Sequence, residues 1–363
     1  MEMCNVGLKR EIDNSYNIFI GSGLLNNIPS ELKANPIAES YAIITDSNVG
    51  KAYGNKLLKN LQENGIKARL IKFPAGEKHK SRKTKEMIED EMLRLGFGRD
   101  CCILSLGGGV VGDVAGFVAA TYMRGIPYIQ IPTTLLAMVD SSIGGKVAVD
   151  SAKAKNAIGS FYQPKKVIID IGLLRTLPKE ELANGMAEVV KHALIKDKSF
   201  FNFLEKNIDK ILSLDSEILK RTIKRSCEIK ASIVAEDEKE KGLRKILNYG
   251  HTIGHAIESA LNYNISHGQA IAIGMSYSAK LSAKLGFLHE GSVIRQNNLL
   301  ERLGLPHRLS HHKLKPGKIL ECMQHDKKIL NGKLNFILLK SIGDAFIYDQ
   351  LSIGDIKKIL EER

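Results

Sequence analysis

No run in this sequence approaches the ~18 uninterrupted apolar residues that a membrane-crossing helix needs, so no such helix is expected and no membrane partner with it. The opening residues Met-Glu-Met-Cys-Asn-Val-Gly show no basic segment followed by an apolar one. A secretory signal would have both, and a cytoplasmic protein is expected. The five cysteines (Cys4, Cys101, Cys102, Cys227, Cys322) form an odd set without any C-x-x-C spacing. That favours reduced, structural thiols over a disulfide framework or a thiolate metal site. Internal repeats and low-complexity tracts are also missing. The net charge of +13 comes without an RNP, zinc-finger or basic-arm pattern, and its lysines and arginines are scattered. Anionic small-molecule substrates and a basic surface account for it, and nucleic acid is not expected as a partner.

What is present is a globular composition, 44% hydrophobic and 26% charged over 363 residues, enough for two domains. Strand-like segments are expected at Val6–Arg10, Asn17–Ile20, Tyr41–Thr45, Arg69–Phe73, Cys101–Leu106, Tyr128–Ile131 and Val167–Asp170. Helix-like segments alternate with them, including Asn48–Asn64 and Ser81–Leu95, the latter with Met87, Ile88, Met92 and Leu95 at helical spacing. Strand and helix in alternation predict a mostly parallel α/β sheet covered on both faces. After Pro178 the segments become long, helical in period and almost free of proline up to Leu303. A boundary within Asp170–Pro178 is expected, dividing residues 1–173 from 174–363. In the second half Asn331-Gly332 and Lys333–Lys340 read as a turn and strand, and Glu236–Lys241 as a solvated loop.

The turn Gly107-Gly108-Gly109 follows a buried strand and precedes the proline-free run Val110–Tyr122. Strand, glycine turn and helix start make a phosphate site, because unpaired backbone N–H groups and the helix dipole face the anion. Gly107, Gly109 and Gly112 also fit G-x-G-x-x-G. The usual acidic ribose partner about 20 residues on is missing, since Pro132 stands there; Asp46, ending an earlier strand, is the nearer candidate. The site is therefore Rossmann-like without being a standard Rossmann unit.

His251 and His255 are four residues apart and share one helix face. They resemble the pair in H-E-x-x-H, but Thr252 replaces the general-base glutamate, which excludes a zincin. His267 follows closely, and Glu188 lies in an apolar helical stretch where an unpaired carboxylate would be costly. Glu188 with two of these histidines would form a His₂Glu zinc site with open positions.

Several blocks occur in order along the chain: Pro74–Lys80, Gly107–Asp113, Met123–Gly125, Pro132–Lys146, Lys155-Asn156, Gly185–Lys191, Arg244–His255, His267-Gly268 and Asp326–Lys328. Together they resemble the 3-dehydroquinate synthase family of sugar-phosphate cyclases. The resemblance implies an N-terminal NAD-binding α/β domain, a C-terminal helical domain and an active site in the cleft between them. It implies metal ligands Glu188, His251 and His267 for zinc or cobalt, with His255 catalytic instead. Asp46, Glu77, Lys80, Gly108, Gly109, Asp113, Thr133, Thr134, Lys146 and Lys155 would line the NAD site. Asp140, Lys146, Asn156, Lys191, Lys230, Arg244, Asn248 and one of Lys327 or Lys328 would face substrate, and Arg124 would reach a neighbour's substrate across a homodimer interface.

The implied reaction converts 3-deoxy-D-arabino-heptulosonate 7-phosphate to 3-dehydroquinate and phosphate by oxidation, β-elimination, reduction, ring opening and aldol closure. That substrate carries a carboxylate, suited to Lys230 and the Arg244 fork, and a phosphate, suited to Lys146, Asn156 and the Lys327/Lys328 pair. His255 with Asn248 would handle the ring-opening proton. Asp113 has a blander reading too, as a first-turn acid complementing its helix dipole. Sibling cyclases, a polyol dehydrogenase and a non-catalytic binding protein are the alternatives.

Overall fold

The computed structural model describes residues 13–152, 154–309, 314–325 and 335–361. The expected strand Val6–Arg10, Lys327, Lys328 and the Asn331-Gly332 turn lie outside them. The first half runs β1 (Asn17–Gly21), α1 (Leu24–Ala34), β2 (Ser40–Asp46), the single turn α2 (Ser47–Val49), α3 (Asn55–Glu63), β3 (Ala68–Phe73), α4 (Arg82–Arg94), β4 (Cys101–Gly107), α5 (Gly109–Thr121), β5 (Tyr128–Pro132), β6 (Lys146–Ser151), β7 (Ala154–Phe161) and β8 (Lys166–Asp170). Six of these strands form one parallel sheet in the order β1-β8-β5-β4-β2-β3.

Strand sequences follow their position. Central β4 is buried along its whole length, as a parallel strand covered on both faces must be, and so reads as a continuous apolar run. Edge strand β3 exposes Arg69 and Lys72 while burying Ile71 and Phe73, and charge on an edge discourages pairing with another chain. Helix α4 starts where the Ser81 hydroxyl accepts the Thr84 N–H. Its expected apolar stripe is narrower than the spacing suggests: Ile88 and Met92 are buried, but Met87 is exposed. The expected helix Asn48–Asn64 is split into α2, a wide turn Gly50–Gly54 and α3, because two glycines weaken the helix there. The antiparallel β6–β7 hairpin was not expected, since its glycine-, alanine- and asparagine-containing strands carry little β-propensity.

Asp170 closes the sheet half. Its carboxylate accepts the N–H groups of Gly23 (2.9 Å), Leu25 (3.0 Å) and Gly172 (3.0 Å), fixing the start of α1 and the turn Ile171–Thr176. The helical half follows Pro178 as expected: α6 (Lys179–Lys196), α7 (Lys198–Leu212), α8 (Ser216–Glu236), α9 (His251–Ala260), α10 (His267–Lys284), α11 (Glu290–Arg302) and α12 (Pro316–His325), then the hairpin β9 (Phe336–Ser341) and β10 (Asp344–Tyr348), and α13 (Ile353–Glu361). The second strand of that hairpin was not expected. One hydrophobic cluster joins the two halves, with Ile43, Leu104 and Ile129 from the sheet and Val190, Leu194 and Ile223 from the helices. Helix α6 is buried on every side from Asn184 to Ile195, so its polar residues are forced into one another's company.

Helices α9 and α10 cross at a glycine contact. Gly250 takes φ +78° just before α9, and a Cβ built on Gly274 would lie 2.0 Å from the Gly250 carbonyl oxygen. Gly274→Ala is therefore expected to push the two helices apart at a cost of about 3 kcal/mol. A urea midpoint no lower than wild type would show that the crossing tolerates side chains.

Candidate active site

The sheet order reverses between β2 and β4, since β3 lies on one side of β2 and β4, β5 and β8 lie on the other. Ligands of open α/β sheets bind outside the C-terminal strand ends at such a reversal. Asp46 and the Gly107–Gly109 turn stand at the ends of those two strands. Helix α5 begins there with no side-chain cap, leaving its first-turn N–H groups for an anion. Gly107 is required, because a Cβ on it would lie 2.4 Å from Val111. The Thr133 N–H donates to the Gly107 carbonyl (3.0 Å), and a Cβ on Gly108 would meet Thr134 at 3.1 Å, so the Thr133–Thr134 segment walls the turn. The hydroxyl oxygens of buried Thr45 and Thr133 have no hydrogen-bond partner among the described residues. Beside Asp46 opens a cavity of about 410 Å³ lined by Ser47, Lys51, Asn55, Lys72, Phe73 and Pro74. Asp46 itself accepts the N–H groups of Asn48 (2.8 Å) and Val49 (2.9 Å).

Asp113 is not a first-turn dipole partner. It lies in the second turn of α5 and pairs with the buried Lys80 ammonium at 2.5 Å, which also donates to Asn156 Oδ1 at 2.5 Å. Burial raises the Asp113 carboxyl above its ordinary range despite that partner. Asn156, with φ +53°, thus joins Lys80 and Asp113 in one polar group. It does not stand with Lys146: the hairpin register separates them by about four residues, roughly 13 Å. Glu77 and Lys155 form an ion pair at 3.4 Å, and the Lys155 ammonium lies 4.0 Å over the Tyr263 ring in the loop before α10.

The three residues chosen as ligands come together from three helices. Glu188 on α6 is fully buried, and its Oε1 faces His251 Nε2 at 3.5 Å and His267 Nε2 at 3.6 Å. Neither carboxylate oxygen has a well-aligned hydrogen-bond donor, although the Lys191 ammonium touches Oε2. A carboxylate and two imidazoles converging in a dry pocket are the donor set of a zinc-type centre, and they fit a divalent cation. Among the described residues two overlapping sets exist, His255 with Glu258 and His267, and Asp140 with Glu188 and His192. His255 lies edge-on to His251, ring centroids 5.2 Å apart, on the face that the four-residue spacing predicts.

Without metal the two histidines titrate apart. Burial and then the Lys191 charge push His251 down to about 3. Burial also opposes charge on His267, but the carboxylates of Glu188 and Glu258 beside it outweigh it and push it up to about 10. A raised imidazole stabilises the fold below its ordinary value of 6.5, and that contribution is lost as pH climbs through about 10. In chelator-treated protein, the urea-midpoint advantage over His267→Gln is expected to shrink between pH 6.5 and pH 10. An advantage that grows over that window would contradict the ion pairs described.

Asp140 is the hub of a neighbouring cluster of charged side chains. Lys230 donates to its carboxylate (2.6 Å) and carbonyl (2.7 Å); Lys191 and His192 approach it at 3.9 Å and 3.7 Å. Burial opposes its charge, yet Lys230 and Lys191 hold it well below the usual carboxylate range. Arg244 is buried, and its guanidinium donates to the carbonyls of Glu238 and Gly144. Lys146 is half-exposed and paired with Glu240, which also accepts from Asn248 at 2.6 Å. Arg124 is exposed beyond the C-terminal end of α5. Thirteen residues of helix place it roughly 20 Å from the glycine turn of its own chain.

Sequence reasoning missed two participants. Glu240 lies in the charged stretch read as a solvated loop; the stretch is a loop after α8, but φ +57° at Glu240 turns its carboxylate out of solvent onto Lys146 and Asn248. His192 is fully buried, bonded to Ser226 at 2.6 Å and facing Asp140. Its only signal was a histidine beside Lys191 in an apolar helix.

Residues 70–184 match the family described as 3-dehydroquinate synthase N-terminal, and residues 185–329 match 3-dehydroquinate synthase C-terminal. The 3-dehydroquinate synthase of Desulforamulus reducens is 45% identical over 351 residues, 96% of this chain and 98% of its own. Among solved structures, 2-epi-5-epi-valiolone synthase of Streptomyces hygroscopicus subsp. jinggangensis, with NAD⁺ and Zn²⁺ bound, superposes with a TM-score of 0.89 at 29% identity, covering 98% of both chains. A 2-deoxy-scyllo-inosose synthase complexed with carbaglucose-6-phosphate, NAD⁺ and Co²⁺ gives 0.84 at 31%, covering 94% of this chain and 95% of that one. With both family halves matched in order and a near full-length relative at this identity, the chain belongs to the 3-dehydroquinate synthase family, an enzyme family of sugar-phosphate cyclases.

Proposed function

We propose that this chain converts 3-deoxy-D-arabino-heptulosonate 7-phosphate to 3-dehydroquinate and inorganic phosphate, with NAD⁺ and a divalent metal, zinc or cobalt, as cofactors. The observation that carries the reading is the Glu188–His251–His267 set, its carboxylate fully buried, beside the cations around Asp140, whose neighbour Ser141 lies against Gly109 in the uncapped first turn of α5. When bound, the metal supplies Lewis acidity and NAD⁺ a reversible hydride acceptor, so the net reaction is redox-neutral.

The chain's own residues then bind and orient. The first turn of α5 receives a pyrophosphate, Asp46 a ribose, and the Lys80–Asp113–Asn156 group braces the crevice. Lys230 and Arg244 hold the substrate carboxylate, Arg244 with a planar fork. Lys146 takes phosphate once Glu240 releases it. Lys191 balances the charge of Glu188 and Asp140. His255 with Asn248 moves the proton of the ring-opening hydroxyl. We divide the chain at residue 173 into a nucleotide-binding and a substrate-binding part, and we assign Arg124 to the neighbouring subunit's substrate in a homodimer. Among the described residues no helix is long and apolar enough to cross a membrane.

The test follows phosphate release from the heptulosonate phosphate with trace NAD⁺ and zinc. Phosphate in many-fold excess over NAD⁺, with no NADH absorbance building up, is the expected result. Turnover only of a sugar phosphate without a carboxylate would make the chain a sibling cyclase, and NADH formed mole for mole with a polyol would make it a dehydrogenase.

A further inference from the structure

We infer that Glu258 is a positioning residue: its carboxylate takes the Nδ1–H of His267 from behind, so that Nε2 is the nitrogen offered to the metal. The inference rests on the metal reading of the site given above. An imidazole ligates through one ring nitrogen, and the other keeps a proton that a buried site must satisfy. His267 has a carboxylate at each end, Glu188 Oε1 at 3.6 Å from Nε2 and Glu258 Oε1 at 3.4 Å from Nδ1. Either end could hold a cation by distance alone, because His255, Glu258 and His267 also form a compact donor set.

The companion histidine decides between the two ends. His251 Nδ1 lies 3.1 Å from the Tyr249 carbonyl, an acceptor that can only take a proton, so its Nε2 is the lone-pair nitrogen. That Nε2 faces the same Glu188 oxygen, at 3.5 Å. Two imidazoles therefore point their Nε2 atoms at one fully buried carboxylate, and each has an acceptor behind its Nδ1. Glu258 is to His267 what the Tyr249 carbonyl is to His251. Helix α9 makes this placement reliable, because Glu258 follows His251 by seven residues, two turns along one face. One helix thus supplies a ligand in its first turn and the anchor for another ligand near its end. Glu258 is itself buried.

The test compares wild type, Glu258→Gln, Glu258→Ala and His251→Ala, each stripped with chelator and checked by far-UV circular dichroism. Zn²⁺ affinity is read by competition with a chelating indicator, and coordination by the d–d absorption of added Co²⁺. Glutamine keeps an acceptor for Nδ1–H but loses the charge, so about 10-fold weaker Zn²⁺ binding is expected, and up to about 100-fold for alanine. Both variants should keep the wild-type Co²⁺ band positions. Wild-type affinity in both Glu258 variants would overturn the proposal. So would loss of the Co²⁺ spectrum in Glu258→Gln as complete as in His251→Ala, because Glu258 would then be a ligand. Should the alanine variant fail to fold, the glutamine variant alone decides. Wild-type affinity in His251→Ala would instead overturn the metal reading beneath the proposal, whatever Glu258 does.

Discussion

Alanine at His251 is expected to abolish stoichiometric zinc binding and to lower turnover by at least ~10³-fold. Several kcal/mol of Lewis-acid stabilisation disappear with the metal, and each 1.36 kcal/mol is a factor of ten. The effect should be this large because neither overlapping donor set, His255–Glu258–His267 or Asp140–Glu188–His192, keeps both Glu188 and His267 as ligands. Glu188 and His267 would remain, but two protein ligands in a site this dry hold a divalent ion poorly. Lys191 already touches Glu188, so in the variant the ammonium and His267 would still face the carboxylate. The fold itself should survive, since the Glu188 charge stays compensated. Metal content by atomic absorption, set beside phosphate release, checks both halves of the prediction. Full activity with one zinc per chain in the variant would remove His251 from the ligand set.

The second large effect is expected at Asp140. Replacing it with alanine leaves Lys230 and Lys191 facing each other in a buried pocket without the carboxylate that now lies between them. Removing one partner of a buried ion pair costs about 3–5 kcal/mol, and the lower figure applies because part of Asp140 reaches solvent. At roughly 2 °C per kcal/mol for a chain this long, the Tm should fall by about 6 °C. Function should suffer separately. Burial already lowers the Lys230 pKa and Asp140 raises it, so the variant's Lys230 loses its proton more readily. Substrate KM is therefore expected to rise, and to rise further with increasing pH, as the cation meeting the substrate carboxylate is neutralised. Asp140→Asn should fall between, keeping an oxygen acceptor without the charge. An unchanged Tm together with an unchanged KM would mean that the Lys230–Asp140 contact is idle.

Much of this molecule was legible before its structure. Buried parallel strands such as Cys101–Gly107 announce themselves as apolar runs, and Gly107-Gly108-Gly109 marks the helix start that an anion needs. The scarcity of proline after Pro178 marks the helical half. A carboxylate in an apolar helix and three histidines among glycines pointed to a His₂Glu site, the family resemblance implied His251 and His267 as the two, and the structure brings those side chains together with Glu188. Failures came where local pattern carries no information about partners. The β6–β7 hairpin has weak strand propensity and exists because it packs on α5. Glu240 looked like one charge in a solvated run, yet a left-handed backbone turns it into the cleft. Asn156, which the resemblance assigns to the substrate phosphate, accepts a hydrogen bond from Lys80, a partner that no local pattern announces.

The sequence by itself determined which elements form and which chemistry they carry, because propensity, period and residue type are properties of short stretches of chain. Only the tertiary structure decided which carboxylate meets which cation. Glu188, His251, Glu258 and His267 come from three helices, of which α9 and α10 cross at Gly250 and Gly274 while Gly268 of α10 meets Asn184 of α6. Distances of a few ångströms between side chains far apart in sequence are fixed by that packing, and so is the ring nitrogen each histidine turns toward Glu188.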